Sequence, residues 1–328
     1  MRQRGRARRR APTRPRREGS ARPEGVLRPG GGESAPGGRG AARGLAGRPV
    51  VRRTGTDHRR VAVRRGDRRR SRAARPVVPW NRGPGPEAAV LRRLGGTDVP
   101  AATLAAVDAT AQYCDHPSLL MSLLPGTVRL ADQDADERAG LLARQLVSIH
   151  RLPVTASRRP RPYQAWASPE RVTLPAATGR PDLWRRAVDV IRREPPAHQG
   201  CFLHRDFHPG NVLFTGADGD LRISGVVDWV ETSWGPADLD VAHCSTALAL
   251  LHGVPAGMRF ADRYADAGGT LSDGTAHLYW RLLDALGFAP DAEKVAVPWR
   301  ELGRVDLTAD VLTRRLEGYI EALFERYA

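Results

Sequence analysis

The sequence contains few cysteines and no long apolar run. Its three cysteines, Cys114, Cys201 and Cys244, are far apart and odd in number, which excludes a disulfide framework and a closely spaced zinc site. No apolar run approaches the roughly 18 residues that a membrane-spanning helix needs. The N-terminus is rich in arginine but has no apolar segment of the kind found in a secretory signal. These absences predict a cytoplasmic protein that has no membrane partner.

The positive charge is confined to one end of the chain. The formal net charge is +16, but residues 1–80 hold 25 arginines and only 5 acidic residues. Residues 81–328 carry 27 basic and 31 acidic side chains, so the body of the chain is slightly acidic. We therefore expect no nucleic-acid partner, although RNA or DNA binding through the arginine-rich arm is retained as an alternative.

The first 46 residues are mostly Arg, Pro, Gly and Ala, with almost no large apolar side chains. Ordering a backbone costs about 1–2 kcal/mol per residue. Such a segment cannot offset that cost by burial, so we expect residues 1–46 to be disordered. Two short β-branched runs, at residues 50–51 and 61–63, predict remnants of a small sheet.

Helical and strand patterns begin after Trp80. Residues 86–94 predict a helix, because Pro86 and Glu87 suit a first turn and apolar residues follow at helical spacing. The same reasoning predicts strands at 103–107 and 118–124, helices at 135–150, 182–193, 245–251, 277–286 and 309–327, and a Pro- and Arg-rich loop at 153–181.

The most informative stretch is residues 201–214, CFLHRDFHPGNVLF, which reads as an apolar strand, a polar turn and a second strand. The turn holds Asp206 and Asn211, one of only two asparagines in the chain, and Asp228 follows a later β-branched run. One carboxylate can orient a hydroxyl and accept its proton, while an amide oxygen and a second carboxylate are ligands that magnesium prefers. The simpler alternative is an ordinary turn, with Asp228 capping a loop. We expect a structural role for His204 and assign none to His208.

The segments HRDFHPGNVLF, GVVDW and GPADLDVA, in this order, resemble the aminoglycoside phosphotransferase family over residues 80–328. The resemblance implies an α+β, two-lobed, protein-kinase-like fold, with a small β-containing lobe and a mostly helical large lobe. It implies magnesium-dependent transfer of the γ-phosphoryl group of ATP, or of GTP, to a hydroxyl group of a small molecule. That acceptor would be aminoglycoside-like or another hydroxylated metabolite or antibiotic.

The resemblance also implies roles for individual residues. Asp206 matches the catalytic base, Asn211 and Asp228 match the metal ligands, and Asp240 matches a downstream aspartate that supports the loop. Residues 118–124 match the strand and hinge between the lobes.

The hinge and the small lobe supply the nucleotide-binding candidates. Met121 and Leu123, in the hinge segment, are candidate nucleotide contacts. Glu87 matches a helix glutamate that pairs with a basic residue on a phosphate-binding strand, and an ordinary first-turn acid is the equal alternative. The fold requires a Lys or Arg for the α- and β-phosphates. The only lysine, Lys294, lies near the other end of the chain, so Arg64 is the candidate.

These features divide the chain into an N-terminal segment (1–79), the rest of the nucleotide-binding lobe with the hinge (80–124), and a catalytic and acceptor-binding lobe (125–328). Residues 1–79 are either a genuine disordered arm or the product of a displaced reading frame. Either origin would leave the small lobe incomplete, so the alternative function is a catalytically impaired, kinase-like binding protein. Residues 245–328 carry 12 acids and 9 bases, which allows polycationic acceptors without requiring them.

Overall fold

The computed structural model describes residues 61–63, 72–76, 85–176, 178–217 and 219–328. The segment predicted to be disordered (1–46), the predicted strand at 50–51 and the candidate Arg64 lie outside these residues. Among the described residues, no helix has both the length and the apolar character needed to cross a bilayer.

The described residues form a mixed α and β structure. The strands are β1 (Val61–Val63), β2 (Arg72–Pro76), β3 (Leu104–Asp108), β4 (Ser118–Ser122), β5 (Cys201–Leu203), β6 (Val212–Thr215), β7 (Arg222–Val226) and β8 (Ser233–Gly235). The helices are α1 (Gly85–Leu94), α2 (Ala135–His150), α3 (Pro181–Ile191), α4 (Asp238–His252), α5 (Val254–Asp266), α6 (Gly274–Ala285), α7 (Glu293–Glu301) and α8 (Ala309–Tyr327). The strand at 61–63 and the helices at 135–150 and 309–327 have the predicted bounds.

The first four strands form an antiparallel sheet in the order β1-β2-β4-β3. Met121 of β4 packs against an apolar cluster that includes Val90, Leu91 and Leu94 of α1. The sequence analysis did not predict β2, because its residues Arg-Ala-Ala-Arg-Pro have little intrinsic preference for a strand. Strand β4 ends at Ser122, two residues before the predicted end.

The chain leaves β4 through a hinge that lies against the hairpin formed by β6 and β7. Thr127 and Phe214 exchange two backbone hydrogen bonds, of 3.1 and 2.9 Å, and the Ser224 hydroxyl donates to the Pro125 carbonyl at 2.7 Å. Gly126 has φ of +93°, and a Cβ there would collide with Ser224 and the Phe214 carbonyl. The hinge is therefore fixed to one end of the β6–β7 hairpin.

Helix α4 is buried on almost every side. Val241 and Leu248 pack into the cluster shared with α1, α2 and the β6–β7 hairpin, whereas Leu239 and Leu250 pack into a second cluster with α3, α6 and α8. A helix in such a position is apolar around most of its circumference. The helix begins at Asp238, seven residues before the predicted start, because its early polar residues find buried partners that local spacing does not reveal.

The close packing of α4 on α5 gives a stability prediction. A Cβ added at Gly257 of α5 would lie 2.6 Å from Ala249 Cβ and would also meet the Ser245 carbonyl. Gly257→Ala should therefore lower the free energy of unfolding by about 1–3 kcal/mol, measured by urea denaturation. Gly140→Ala in α2 is the matched control, because its nearest neighbour would be 3.6 Å away, and it should stabilise by up to about 1 kcal/mol. Equal stability of the two variants would contradict this packing.

Candidate active site

Three of the predicted site residues, Asp206, Asn211 and Asp228, lie at the end of the β6–β7 hairpin opposite the hinge. We call residues 204–211 the Asp206 loop; they connect β5 to β6 and finish in a short 3-10 turn, Pro209–Asn211. Val212 pairs with Val226 across the hairpin, and Val227 N donates to the Asn211 carbonyl at 3.0 Å. Because β6 and β7 are antiparallel, Asn211 and Asp228 lie at the same end of the hairpin.

Asn211 is held directly by Asp206. Its side-chain Nδ2 donates to the Asp206 carbonyl oxygen and to Asp206 Oδ2, both at 2.9 Å. Both amide hydrogens are thereby used, which leaves Asn211 Oδ1 as an acceptor for a cation. Asp228 is partly exposed and adopts φ of +68°, a region rarely used by residues other than glycine. An amide oxygen and a carboxylate together fit the hard-oxygen preference of magnesium.

The Asp206 loop is supported by the buried carboxylate of Asp240, in the first turn of α4. Asp240 Oδ2 accepts from His204 N at 2.8 Å, and Oδ1 accepts from Arg205 N at 2.7 Å. His150 Nε2 lies 3.1 Å from Asp240 Oδ2. Burial alone would raise the pKa of Asp240, but the hydrogen bond and charge of His150 hold the pKa below its ordinary value. These contacts hold Arg205 at φ of +72°.

His204 has backbone partners on both ring nitrogens. Its Nε2 lies 3.0 Å from the Val227 carbonyl, and its Nδ1 accepts from Asp206 N at 3.2 Å. The ring also lies 4.4 Å from the Trp229 ring, centroid to centroid. Burial lowers the pKa of His204, in keeping with a neutral ring whose proton is on Nε2. This arrangement agrees with the structural role expected from the sequence.

The structure adds a residue that the sequence analysis did not identify. His243 Nε2 lies 3.2 Å from Asp206 Oδ1, and His243 Nδ1 lies 3.0 Å from Asp284 Oδ1. The Thr246 hydroxyl donates to Asp284 Oδ2 at 2.7 Å. A ring between two carboxylates satisfies both only when both nitrogens carry protons. Burial alone would lower the pKa of His243, but the charge of Asp284 and the hydrogen bonds to both carboxylates raise it to about 9.

Asp206 itself is one-third exposed on its side chain. Burial alone would raise the pKa of Asp206, but the hydrogen bond from His243 and the charge of that imidazolium hold the pKa well below its usual range. The carboxylate is therefore ionised at neutral pH and open to solvent on one side, as a hydroxyl-orienting base requires.

Asp206, His208 and His243 place three candidate ligand atoms within 4.8 Å of one another. However, His208 Nδ1 accepts a hydrogen bond from Gly210 N at 3.0 Å, which puts the proton of a neutral ring on Nε2. That nitrogen faces Asp206 Oδ1 at 3.8 Å, and burial lowers the pKa of His208 to about 4. A protonated nitrogen cannot coordinate a metal, so this group fits a hydrogen-bonded cluster better than a transition-metal site.

Aromatic and cationic side chains surround His243 and Asp206. Trp166 meets the His243 ring edge-on at 4.8 Å, and Phe288 stacks on it at 5.8 Å. The Arg205 guanidinium lies 4.4 Å from the Trp166 ring centroid. Trp166 is 36% exposed, so part of this surface is open to a ligand. Trp166 and Phe288 received no role in the sequence analysis.

The other predicted site residues lie in or beside the four-stranded sheet. Glu87, in the first turn of α1, is only 7% exposed, although a simple first-turn acid is usually solvated. Met121 lies in β4, and Leu123 follows that strand and is 38% exposed. The proposed pairing of Glu87 and the nucleotide contacts of Met121 and Leu123 stay predictions.

The fold is that of kinase-like phosphotransferases. The chain belongs to the phosphotransferase enzyme family APH, whose family model matches residues 39–282. The family assignment made from residues 201–242 is therefore confirmed, and the match extends upstream of residue 80. A search of curated proteins finds no match to this chain.

Solved structures with the same fold include aminoglycoside 3'-phosphotransferase of type VIII, which is 18% identical, covers 72% of this chain and 92% of its own, and has a TM-score of 0.51. A thermostable mutant of aminoglycoside phosphotransferase APH(4)-Ia, in ternary complex with AMP-PNP and hygromycin B, is 15% identical and has a TM-score of 0.53. The match covers 82% of this chain and 94% of that chain. A choline/ethanolamine kinase family protein from Mesorhizobium loti is 16% identical and has a TM-score of 0.52. The match covers 81% of this chain and 85% of that chain. These likenesses confirm the predicted α+β, two-lobed kinase-like fold.

The support of the Asp206 loop can be tested by stability. Asp240→Asn replaces an acceptor of three hydrogen bonds by a group whose NH₂ faces other donors. We expect it to lower the free energy of unfolding by about 3 kcal/mol, measured by urea denaturation. Asp189→Asn on α3 is the control, because the Asp189 side chain is 63% exposed, and it should change stability by less than about 0.5 kcal/mol. A similar small effect at Asp240 would contradict the supporting role.

Proposed function

We propose that this protein transfers the γ-phosphoryl group of ATP to a hydroxyl group of a small molecule. The observation that carries the proposal is the direct contact of Asp206 with Asn211, at the same hairpin end as Asp228. A base that contacts one candidate magnesium ligand, and lies at the same hairpin end as the second, suits phosphoryl transfer, in which positioning and charge neutralisation supply most of the catalysis. The free cysteines are in keeping with the cytoplasm as its compartment.

Each residue has a separate role in the proposed reaction. Asp206 accepts a hydrogen bond from the acceptor hydroxyl, aligns it with the phosphorus and takes its proton. Asn211 Oδ1 and the Asp228 carboxylate would hold magnesium, which when bound neutralises charge on the nucleotide phosphates. The Asn211 side chain would position the base and also bind the metal, because its NH₂ group holds Asp206 while its oxygen is available to magnesium.

The nucleotide is proposed to lie along the β6–β7 hairpin, between the hinge and the Asp206 loop. Asn211 and Phe214, which mark these two ends, are about 10 Å apart along β6. The hinge residues Met121 and Leu123 would contact the base of the nucleotide. Glu87 would pair with a phosphate-binding arginine, for which Arg64 remains the candidate.

The acceptor is proposed from the site and the relatives. The related APH(4)-Ia structure holds hygromycin B, and another relative belongs to the choline/ethanolamine kinase family. We propose a hydroxylated small molecule, aminoglycoside-like or another metabolite or antibiotic, that binds beside Trp166 and Asp206. A phosphorylation screen of aminoglycosides, amino alcohols and sugars, with ATP and with GTP, tests this proposal and would identify the acceptor.

The role of Asp206 is tested with any acceptor that this screen finds. Asp206→Asn keeps the shape of the side chain and removes its ability to take a proton, so kcat should fall by about 10²–10⁴-fold. Asp189→Asn should retain wild-type kcat, and circular dichroism should confirm that both variants fold. Turnover at the wild-type rate in Asp206→Asn would exclude this residue as the base.

The role of Asp228 is tested by nucleotide binding without any acceptor. Asp228→Asn replaces a carboxylate by a weaker magnesium ligand, so calorimetry should show loss of the magnesium-dependent gain in ATP affinity. Asp220→Asn is the control, because Asp220 is exposed in the turn of the same hairpin. A magnesium-dependent gain in ATP affinity that persists in Asp228→Asn would place the metal site elsewhere. Binding of ATP with no transfer to any acceptor would favour the impaired binding protein.

A further inference from the structure

We propose that His243 is a positioning residue, which fixes the Asp206 carboxylate for its reaction with the acceptor hydroxyl and is itself fixed by Asp284 and Thr246. This inference rests on the proposed function of Asp206 and assigns a role to a helix residue outside the Asp206 loop.

The Asp206 carboxylate has one anchor on each oxygen. Oδ2 accepts from Asn211 Nδ2 at 2.9 Å, and Oδ1 is 3.2 Å from His243 Nε2. Two anchors from different elements determine both the position and the plane of the carboxylate. Each carboxylate oxygen can accept a second hydrogen bond, so the exposed side of the group remains available to a hydroxyl.

The imidazole of His243 is held on all sides. Asp284 of α6 accepts from Nδ1 at 3.0 Å, and Thr246 donates to the other oxygen of that carboxylate at 2.7 Å. Trp166 and Phe288 pack against the ring, and the residue is only 5% exposed. A rotation of the ring would break two charge-assisted hydrogen bonds inside a packed environment. His243 therefore holds Asp206 at a fixed position relative to α4.

The charges around His243 favour its protonated form. Asp206 and His208 face it from the Asp206 loop, and Asp284 faces it from α6. Two cations lie beyond its aromatic neighbours, Arg205 over Trp166 and Lys294 at 5.8 Å from the Phe288 ring. The two carboxylates outweigh these cations, and the pKa of His243 is raised to about 9.

The charge of the His243 imidazolium affects the stage of the reaction at which Asp206 can accept a proton. An imidazolium partner makes Asp206 a weak base before the reaction. The hydroxyl becomes acidic only as its bond to phosphorus forms, which is late in a loose phosphoryl-transfer transition state. A fixed, weakly basic carboxylate therefore suits orientation first and proton acceptance afterwards. Above about pH 9 His243 becomes neutral and can donate to only one of its two carboxylates, so either the anchor of Asp206 or the anchor of the His243 ring itself is lost.

The kinetic test compares two buried His–Asp pairs. His243→Leu removes the anchor of Asp206, whereas His243→Gln retains an NH₂ donor and should restore part of the activity. We expect kcat to fall by about 10²-fold in His243→Leu and less in His243→Gln, with KM for ATP and acceptor nearly unchanged. The matched control is His277→Gln, because His277 is 3% exposed and lies 2.8 Å from Asp238. It should lose stability but keep kcat.

The pH profile separates positioning from a purely structural role. Wild-type kcat should fall above about pH 9, and this alkaline limb should be absent from His243→Gln. Equal reductions of kcat in His243→Gln and His277→Gln, or an unchanged alkaline limb, would overturn the proposal.

A spectroscopic arm does not depend on finding the acceptor. In the wild-type protein labelled on histidine, the His243 imidazole signal should titrate near pH 9, and Asp284→Asn or Asp206→Asn should lower that pKa by more than about one unit. If no hydroxyl compound is phosphorylated but this titration is observed, the proposed function fails, while the fixed contact between His243 and Asp206 is still supported. A His243 titration near 6.5, or one insensitive to both variants, would overturn the inference even in an active enzyme.

Discussion

The geometry of the site depends on one buried carboxylate, Asp240, which accepts the backbone N–H groups of His204 and Arg205. A left-handed conformation such as that of Arg205 costs roughly 1–2 kcal/mol for a residue with a side chain, and charge-assisted hydrogen bonds to a buried acceptor can offset this cost. The turn that results directs Asp206 towards Asn211 and His243. Asp240 is in the first turn of α4, so the position of the Asp206 loop is fixed relative to the most buried helix of the large lobe.

Three histidines near the base have different protonation states, although their intrinsic pKa values are the same. His204 and His208 accept backbone hydrogen bonds and have lowered pKa values, whereas His243 lies between two carboxylates and has a raised one. Their partners decide this difference, because all three rings are largely removed from solvent. Of these three rings, therefore, the charged one is His243, which meets Asp206 from the side of α4.

Local pattern was enough to place Asp206, Asn211 and Asp228 at the ends of neighbouring strands, because the spacing of these turns and strand ends is set within a short stretch of chain. It was not enough for His243, whose partner Asp284 lies 41 residues away. A signal was nevertheless present: Asp240, His243 and Thr246 recur every three residues in a largely apolar helix. Strand β2 was missed for the opposite reason, since pairing with β1 and β4 imposes a strand on residues that do not favour one.

The Asp206 loop and α4 supply the contacts of Asp206 described above, α6 supports His243 through Asp284, and the four-stranded sheet supplies none of these contacts. On the proposed function, changes in the sheet can therefore alter nucleotide preference while Asp206 keeps its geometry. Changes in the segment around Trp166 would likewise alter acceptor preference while the supports of Asp240 and Asp284 remain. In evolutionary terms, the two substrates of the proposed reaction would be separately adjustable, because the group proposed to act between them is built on a third part of the fold.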